Sequence, residues 1–269
     1  MTSVNQQPTG PALRAVVLLA HQPADVGSVL QVLLPEAAAS IGNLPLNQIT
    51  VVVNQVRVTF EVGSGPLAAG EFDYAVSQSL LRDRVQAAAA AHGGHLVLTA
   101  EVGDDVFRAA SVLSNVTATY ADSDNGLAVW LPDADLATTD VIYAGEVSRR
   151  PANVWFNLMA ARMDETTAIA HTIGVPALGG RDVQLRTSAF DPASAYTELR
   201  SAVAGLLEER TLPAPGLTLV IGGQPHVLTP GASQIGMGDV LDAVPSGAPA
   251  QQASVTSEKT KRKGWFGRG

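Results

Sequence analysis

Apolar positions along the chain change period several times, and each change marks an element. Residues 14–20 form a short continuous apolar run, the pattern of a buried strand, and after Pro23 the residues Val26, Val29, Leu30 and Leu33 fall at helical spacing. Residues 49–53 read as a second strand. Beyond Asn54-Gln55, Val56, Val58, Phe60 and Val62 alternate with Arg57, Thr59 and Glu61, so the two runs predict a hairpin with one wet face. A helix over about Phe72 to Ala91, stopped by a left-handed cap at Gly93-Gly94, leads to another alternating strand at Leu96, Leu98 and Ala100. The order β-α-β-β-α-β predicts a ferredoxin-like lobe, with helices on one face of a four-stranded antiparallel sheet.

Asp104 or Asp105 is expected to cap a helix whose Val106, Ala109, Ala110, Leu113, Val116, Thr117 and Tyr120 share one face. A polar turn, Asp122 to Gly126, and a strand at 127–131 follow, and Pro132 to Pro151 reads as irregular. The second half predicts strands at 153–160, 166–172 and 182–187, then a helix with Asp191 as N-cap and Pro192 in first position. Tyr196, Leu199, Val203, Leu206 and Leu207 form its apolar face, and a hairpin of 217–221 with 226–229 turns at Gly222-Gly223. The expected fold class is therefore α+β in two lobes, 13–131 and 152–244, joined by 132–151. Residues 1–12 are expected to be a disordered start, and 245–269 a Pro/Ser/Ala/Gly linker ending in a basic, aromatic tail.

Charge sharpens that division. Of 269 residues, 1–257 carry twelve arginines, no lysine and twenty-four acids, a net of −12, whereas 258–269 carry five basic groups against Glu258, a net of +4. An acidic body argues against nucleic acid as the main partner. The absence of cysteine excludes disulfides and thiolate chemistry and suits a reducing cytoplasm. No apolar stretch reaches the ~20 residues of a membrane span, and the polar start lacks a signal-peptide pattern. A cytoplasmic protein is expected, with a tail able to reach the inner membrane face.

Candidate chemistry centres on His21, His92 and His95. In the expected fold the end of the first strand meets the start of the fourth, which would gather three imidazoles that could ligate Zn²⁺ with Asp25, or carry protons near neutral pH. The competing reading has His92 bonding the last carbonyls of its helix while His21 and His95 end strands. Gly63 to Gly70 lies between strand and helix, where backbone N–H groups could hold a phosphate, but its spacing fits neither a dinucleotide fingerprint nor a P-loop. Asp122, Asp124 and Gly126 depart from calcium-loop spacing, and no Gly-x-Ser-x-Gly elbow is present. The acid pairs Asp104/Asp105, Asp133/Asp135 and Asp164/Glu165 could serve as general acid and base, or cap helices and solvate loops. Trp130 and Trp155 read as core. In the tail, Lys259, Lys261, Arg262, Lys263 and Arg268 flank Trp265 and Phe266, a set suited to a protein partner or an anionic membrane surface.

His92-Gly93-Gly94-His95-Leu96, Pro151-Ala152-Asn153-Val154-Trp155, Thr172-Ile173-Gly174-Val175 with Gly179, and Asp191-Pro192 followed by Tyr196 and Leu199 occur in that order. Through them residues 92–244 resemble a bacterial family known as domain of unknown function 4261. That family tends to carry an acidic pair after the short turn and an Asp-Gly-Asp-Thr-like turn before its last hairpin. This chain has Asp182-Val183-Gln184 and Ala214-Pro215-Gly216-Leu217-Thr218 there. The resemblance implies a two-lobed α+β fold and carries no catalytic residue. The expectation is a non-catalytic binding or adaptor protein whose tail docks on a partner; the alternative is a metal-binding protein or hydrolase-type enzyme using the histidines.

Overall fold

The computed structural model describes residues 11–33, 47–68 and 70–247. Both ends lie outside these limits, including the expected disordered start and Lys259, Lys261, Arg262, Lys263, Trp265, Phe266 and Arg268. The fold is α+β, built on two six-stranded sheets.

The first sheet contains β1 (Ala12–Leu19), β2 (Gln48–Val53), β3 (Val56–Gly63), β4 (Gly94–Glu101), β5 (Gly126–Leu131) and β6 (Leu136–Thr139). Its order is β2-β3-β4-β1-β5-β6, antiparallel throughout. The β2–β3 hairpin turns on Asn54 and Gln55, both at positive φ (47° and 69°), the conformation a two-residue turn needs to match strand twist. The expected neighbours β1 and β4 do pair, with Leu18 opposite His95.

Two details of the ferredoxin-like expectation are corrected. In that arrangement the third strand lies beside the first; here β3 pairs with β4. Helices also cover both faces, because β1 is apolar at both parities. Ala15, Val17 and Leu19 pack with α1 (Val26–Leu33) and α4 (Val106–Ala121), whereas Val16 and Leu18 pack with α2 (Asp73–Gln78) and α3 (Arg82–Ala91). The single helix expected over 72–91 is thus two. Ser79 turns extended, its Oγ accepts from the Leu81 N–H (3.2 Å), and Arg82 Nε donates to the Ser77 carbonyl (3.1 Å). These side-chain bonds replace part of the helical ladder. Nor does a left-handed glycine end α3: His92 is extended there. Gly93 and Gly94 are required by close approach, since a Cβ would meet the Ala20 carbonyl oxygen at 2.8 Å and Gln22 Cα at 2.7 Å.

Residues 132–151 are ordered, not irregular. Besides β6 they form α5 (Asp140–Arg149), whose exposed Val141 and Ile142 beside buried Tyr143 and Val147 blur the apolar period. The second sheet holds β7 (Asn157–Arg162), β8 (Ala168–Ile173), β9 (Val183–Thr187), β10 (Thr218–Ile221), β11 (Gln224–Ala232) and β12 (Asp239–Pro245). Its order is β10-β11-β12-β9-β8-β7, with β9 and β12 the parallel pair. α6 (Pro192–Glu208) lies across this sheet. As its sequence requires, Asp191 caps it, accepting from the Ser194 N–H at 2.8 Å.

One cluster of buried residues runs through both sheets, from Leu13 and Phe60 through Tyr143 and Phe156 to Leu199 and Leu241. Trp155 helps to close it, donating Nε1–H to Ser114 Oγ (3.0 Å) beside Phe107. Arg150–Glu208 (2.8 Å) and Arg210–Asp105 add ion pairs at its margin.

Candidate functional site

The three histidines lie at one end of the first sheet, but the rings of His92 and His95 serve a loop. The Leu67 N–H donates to His92 Nε2 (2.9 Å), so Nδ1 carries the proton and donates it to the Ala89 carbonyl. No lone pair of that ring is left for a metal. His95 Nδ1 donates to the Gly65 carbonyl (2.9 Å), and its Nε2 lies over Gly63, where a Cβ would come within 1.9 Å. Exposed His21 is fixed through its backbone, with Asn125 accepting from its N–H and donating to its carbonyl, both at 2.9 Å. Among the described residues no three His, Asp or Glu side chains form a metal-holding group. Asp25 instead caps the turn into α1, accepting from the Ser28 N–H at 2.8 Å.

The glycine loop is held by the same groups. Gln22 accepts from the Gly65 N–H (2.8 Å) and donates to the Gly63 carbonyl, so the Gly65 and Leu67 N–H groups already have partners. Of the acid pairs, Asp105 caps α4 and pairs with Arg210 and Arg108, which holds its carboxyl below the usual range. Asp164 organises its own turn through Thr166 and Thr167. Asp133 accepts from the Arg14 N–H at 3.2 Å, and burial raises the neighbouring Asp135 carboxyl.

The feature that gathers polar groups beside exposed apolar surface is a groove between the two sheets. The break between α2 and α3 thrusts Leu80 outward, 78% exposed, and α5 adds Ile142, 42% exposed. Opposite them stand Tyr196 and Arg200 of α6. A space of about 250 Å³ between Leu136–Thr138, Ile142, Asn153, Asn157 and Arg200 adjoins one of about 470 Å³ along Leu158–Ala160, Pro192 and Tyr196. Gln78, Leu80 and Tyr196 line both.

The groove's charges are satisfied internally. Glu146 Oε2 accepts from Arg200 (3.1 Å) and from Asn153 Nδ2 (2.7 Å), and the Arg200 guanidinium sits 5.9 Å from the centre of the Tyr196 ring. Burial pushes the Tyr196 hydroxyl up, opposed by Arg200, so it stays neutral. Such a site offers hydrogen-bonding and apolar surface without a free nucleophile–base pair. Sequence periodicity missed it because its walls come from distant segments, each unremarkable alone; Leu80 in particular sits at helical spacing. The one signal present was Ser79-Leu80-Leu81, a helix-competing serine before two large apolar residues.

A second polar cluster lies under the β11–β12 loop. Buried His171 meets Ser233 Oγ through Nε2 (3.2 Å), and its Nδ1 has no hydrogen-bond partner. The loop is fastened there, since Gln184 accepts from the Gln234 N–H and donates to Asp242, both at 2.8 Å. Burial lowers the His171 pKa, against the pull of the Thr172 backbone and Asp242.

Comparison with protein-family models, with curated proteins and with solved structures finds no match for this chain. No helix among the described residues is long and apolar enough to cross a membrane.

Proposed function

We propose that this protein works by binding a protein partner, which it receives along the groove between its sheets. The supporting observation is exposed Leu80 and Ile142 beside an Arg200–Glu146 pair that neutralises itself, leaving apolar contact and directional hydrogen bonds as what the groove offers. Asn153 and Tyr196, two residues of the motifs that resemble domain of unknown function 4261, line its walls, which fits a binding role for that resemblance. The histidine alternative lacks comparable support, because both nitrogens of His92 are engaged.

In this reading the tail is a further contact. Trp265 and Phe266 supply large apolar area, while Lys259, Lys261, Arg262, Lys263 and Arg268 speed encounter with an acidic surface.

The test is selection of random peptides of about twelve residues, long enough to run past both ends of a strand, on the full chain, followed by affinity measurement. Replacing Leu80 with Asp should weaken the selected peptide at least about tenfold, since a buried leucine contributes roughly 1.5–3 kcal/mol. Equal affinity for wild type and Leu80→Asp would end the groove reading. Vesicles rich in phosphatidylserine test the tail: sedimentation of the full chain, but not of one truncated after Ser257, would replace the protein partner by a lipid surface there.

A further inference from the structure

We infer that the groove takes its partner as one extended segment, added as a strand to the open edge of β7; this rests on the groove being the binding surface. β7 is the last strand of the second sheet and pairs on one side only, with β8. In an antiparallel pair alternate residues turn their backbone groups toward the neighbour. The Leu158 N–H turns away from β8 and bonds the Asn157 side chain (2.8 Å), whereas the Met163 N–H bonds across to the Thr167 carbonyl (2.9 Å). The parity is thereby fixed. Asn157, Met159 and Ala161 face β8, and the backbone N–H and C=O of Ala160 and Arg162 point off the edge. No partner for the Ala160 or Arg162 N–H occurs among the described residues.

Sheet edges are normally protected by shortness, charge, proline or a bulge. β10, the opposite edge of this sheet, is four residues long. β7 has six residues in regular register, no proline, and one charged residue, Arg162, at its far end. Its stretch Leu158 to Ala160, with the Leu158 N–H capped by Asn157 and the Ala160 N–H open, lines the larger part of the groove together with Leu80, Pro192, Ala193 and Tyr196. Because Arg200 and Glu146 satisfy each other, the matching segment is uncharged where it passes them and presents apolar side chains to Leu80 and Tyr196. The partner is thus an extended, uncharged stretch of another polypeptide, with main-chain bonds supplying affinity and alternate side chains supplying selectivity.

The experiment uses the full chain and the synthetic peptide obtained by the selection above. Amide hydrogen exchange is followed by NMR with and without peptide, and the peptide is scanned with N-methyl groups. Strand addition requires that Ala160 and Arg162 gain protection while Met159 and Ala161, already bonded to β8, are unchanged. Methylation should weaken binding at every second peptide position. Ala160→Pro, which removes an edge N–H and spares the β8 ladder, should lower affinity about tenfold, the loss of roughly one hydrogen bond, with an unaltered melting temperature. Peptide binding without protection at Ala160 and Arg162 would overturn strand addition and leave the groove reading intact. Protection of those amides in the free protein, lost on dilution or on truncation after Ser257, would assign the edge to a second copy or to this chain's own tail and overturn the proposal.

Discussion

Asp182 should make this protein more stable, in one respect, as the pH falls. It sits at the turn before β9, where its Oδ1 accepts from Thr172 Oγ1 (2.9 Å) and the Val175 N–H (3.2 Å). Burial nonetheless dominates and pushes its pKa from 3.8 up to about 6. The folded state therefore holds the proton more tightly than the unfolded chain. The sign follows: the contribution is fully present well below about pH 4 and is lost as pH rises through about 6. A shift of roughly two units corresponds to about 3 kcal/mol. Asp182→Asn keeps the shape and removes the titration. Denaturant unfolding of both proteins between about pH 4 and 8 isolates the effect, because other carboxylates cancel in the difference. Wild-type stability minus variant stability should fall by about 2.4 kcal/mol over this range, the rest of the shift being lost already below about pH 4, and level off above pH 6 to 7. A difference that stays flat, or that grows with pH, would refute the assignment of burial as the ruling cause.

His171 should act in the opposite direction: its pKa is lowered from 6.5 by burial, so its stability contribution is present above that value and is lost as pH falls below it. His171→Phe should flatten the acid limb of the unfolding profile, measured by the same titration. Gly63→Ala should drive the His95 ring off its bond to the Gly65 carbonyl, since the new Cβ would lie 1.9 Å from Nε2. A cost of about 2 kcal/mol, or roughly 4–8 °C in melting temperature, is expected, read by calorimetry.

The elements legible in the sequence are those whose period is set locally. β1, the β2–β3 hairpin, α4 and α6 with its Asp191 cap, and the turn at Gly222-Gly223 all lie where apolar spacing or turn chemistry put them. β12 was hidden because Asp239 and Asp242 interrupt its apolar pattern, although Leu241 and Val240 are buried at the centre of the second sheet. Sheet order is non-local, so nothing in the spacing around Val58 announces that β3 will choose β4. The placing of His21, His92 and His95 at one sheet end followed from the β1–β4 pairing, while the chemistry of the His92 and His95 rings is set by backbone groups that no motif reveals: the Leu67 N–H and the Ala89 and Gly65 carbonyls. The groove is hardest to foresee, since it exists only where two sheets end beside each other.

The unbroken cluster of buried side chains from Leu13 to Leu241 bears on how such a groove can respond to an occupant. Rocking one sheet against the other would wet that seam, and interiors at crystal-like density resist such shear. Clamshell motion is thereby closed to this molecule. What remains free is the rim, where Leu80 and Ile142 can change rotamer on a nanosecond scale, so occupancy should leave the overall envelope measured by small-angle scattering unchanged.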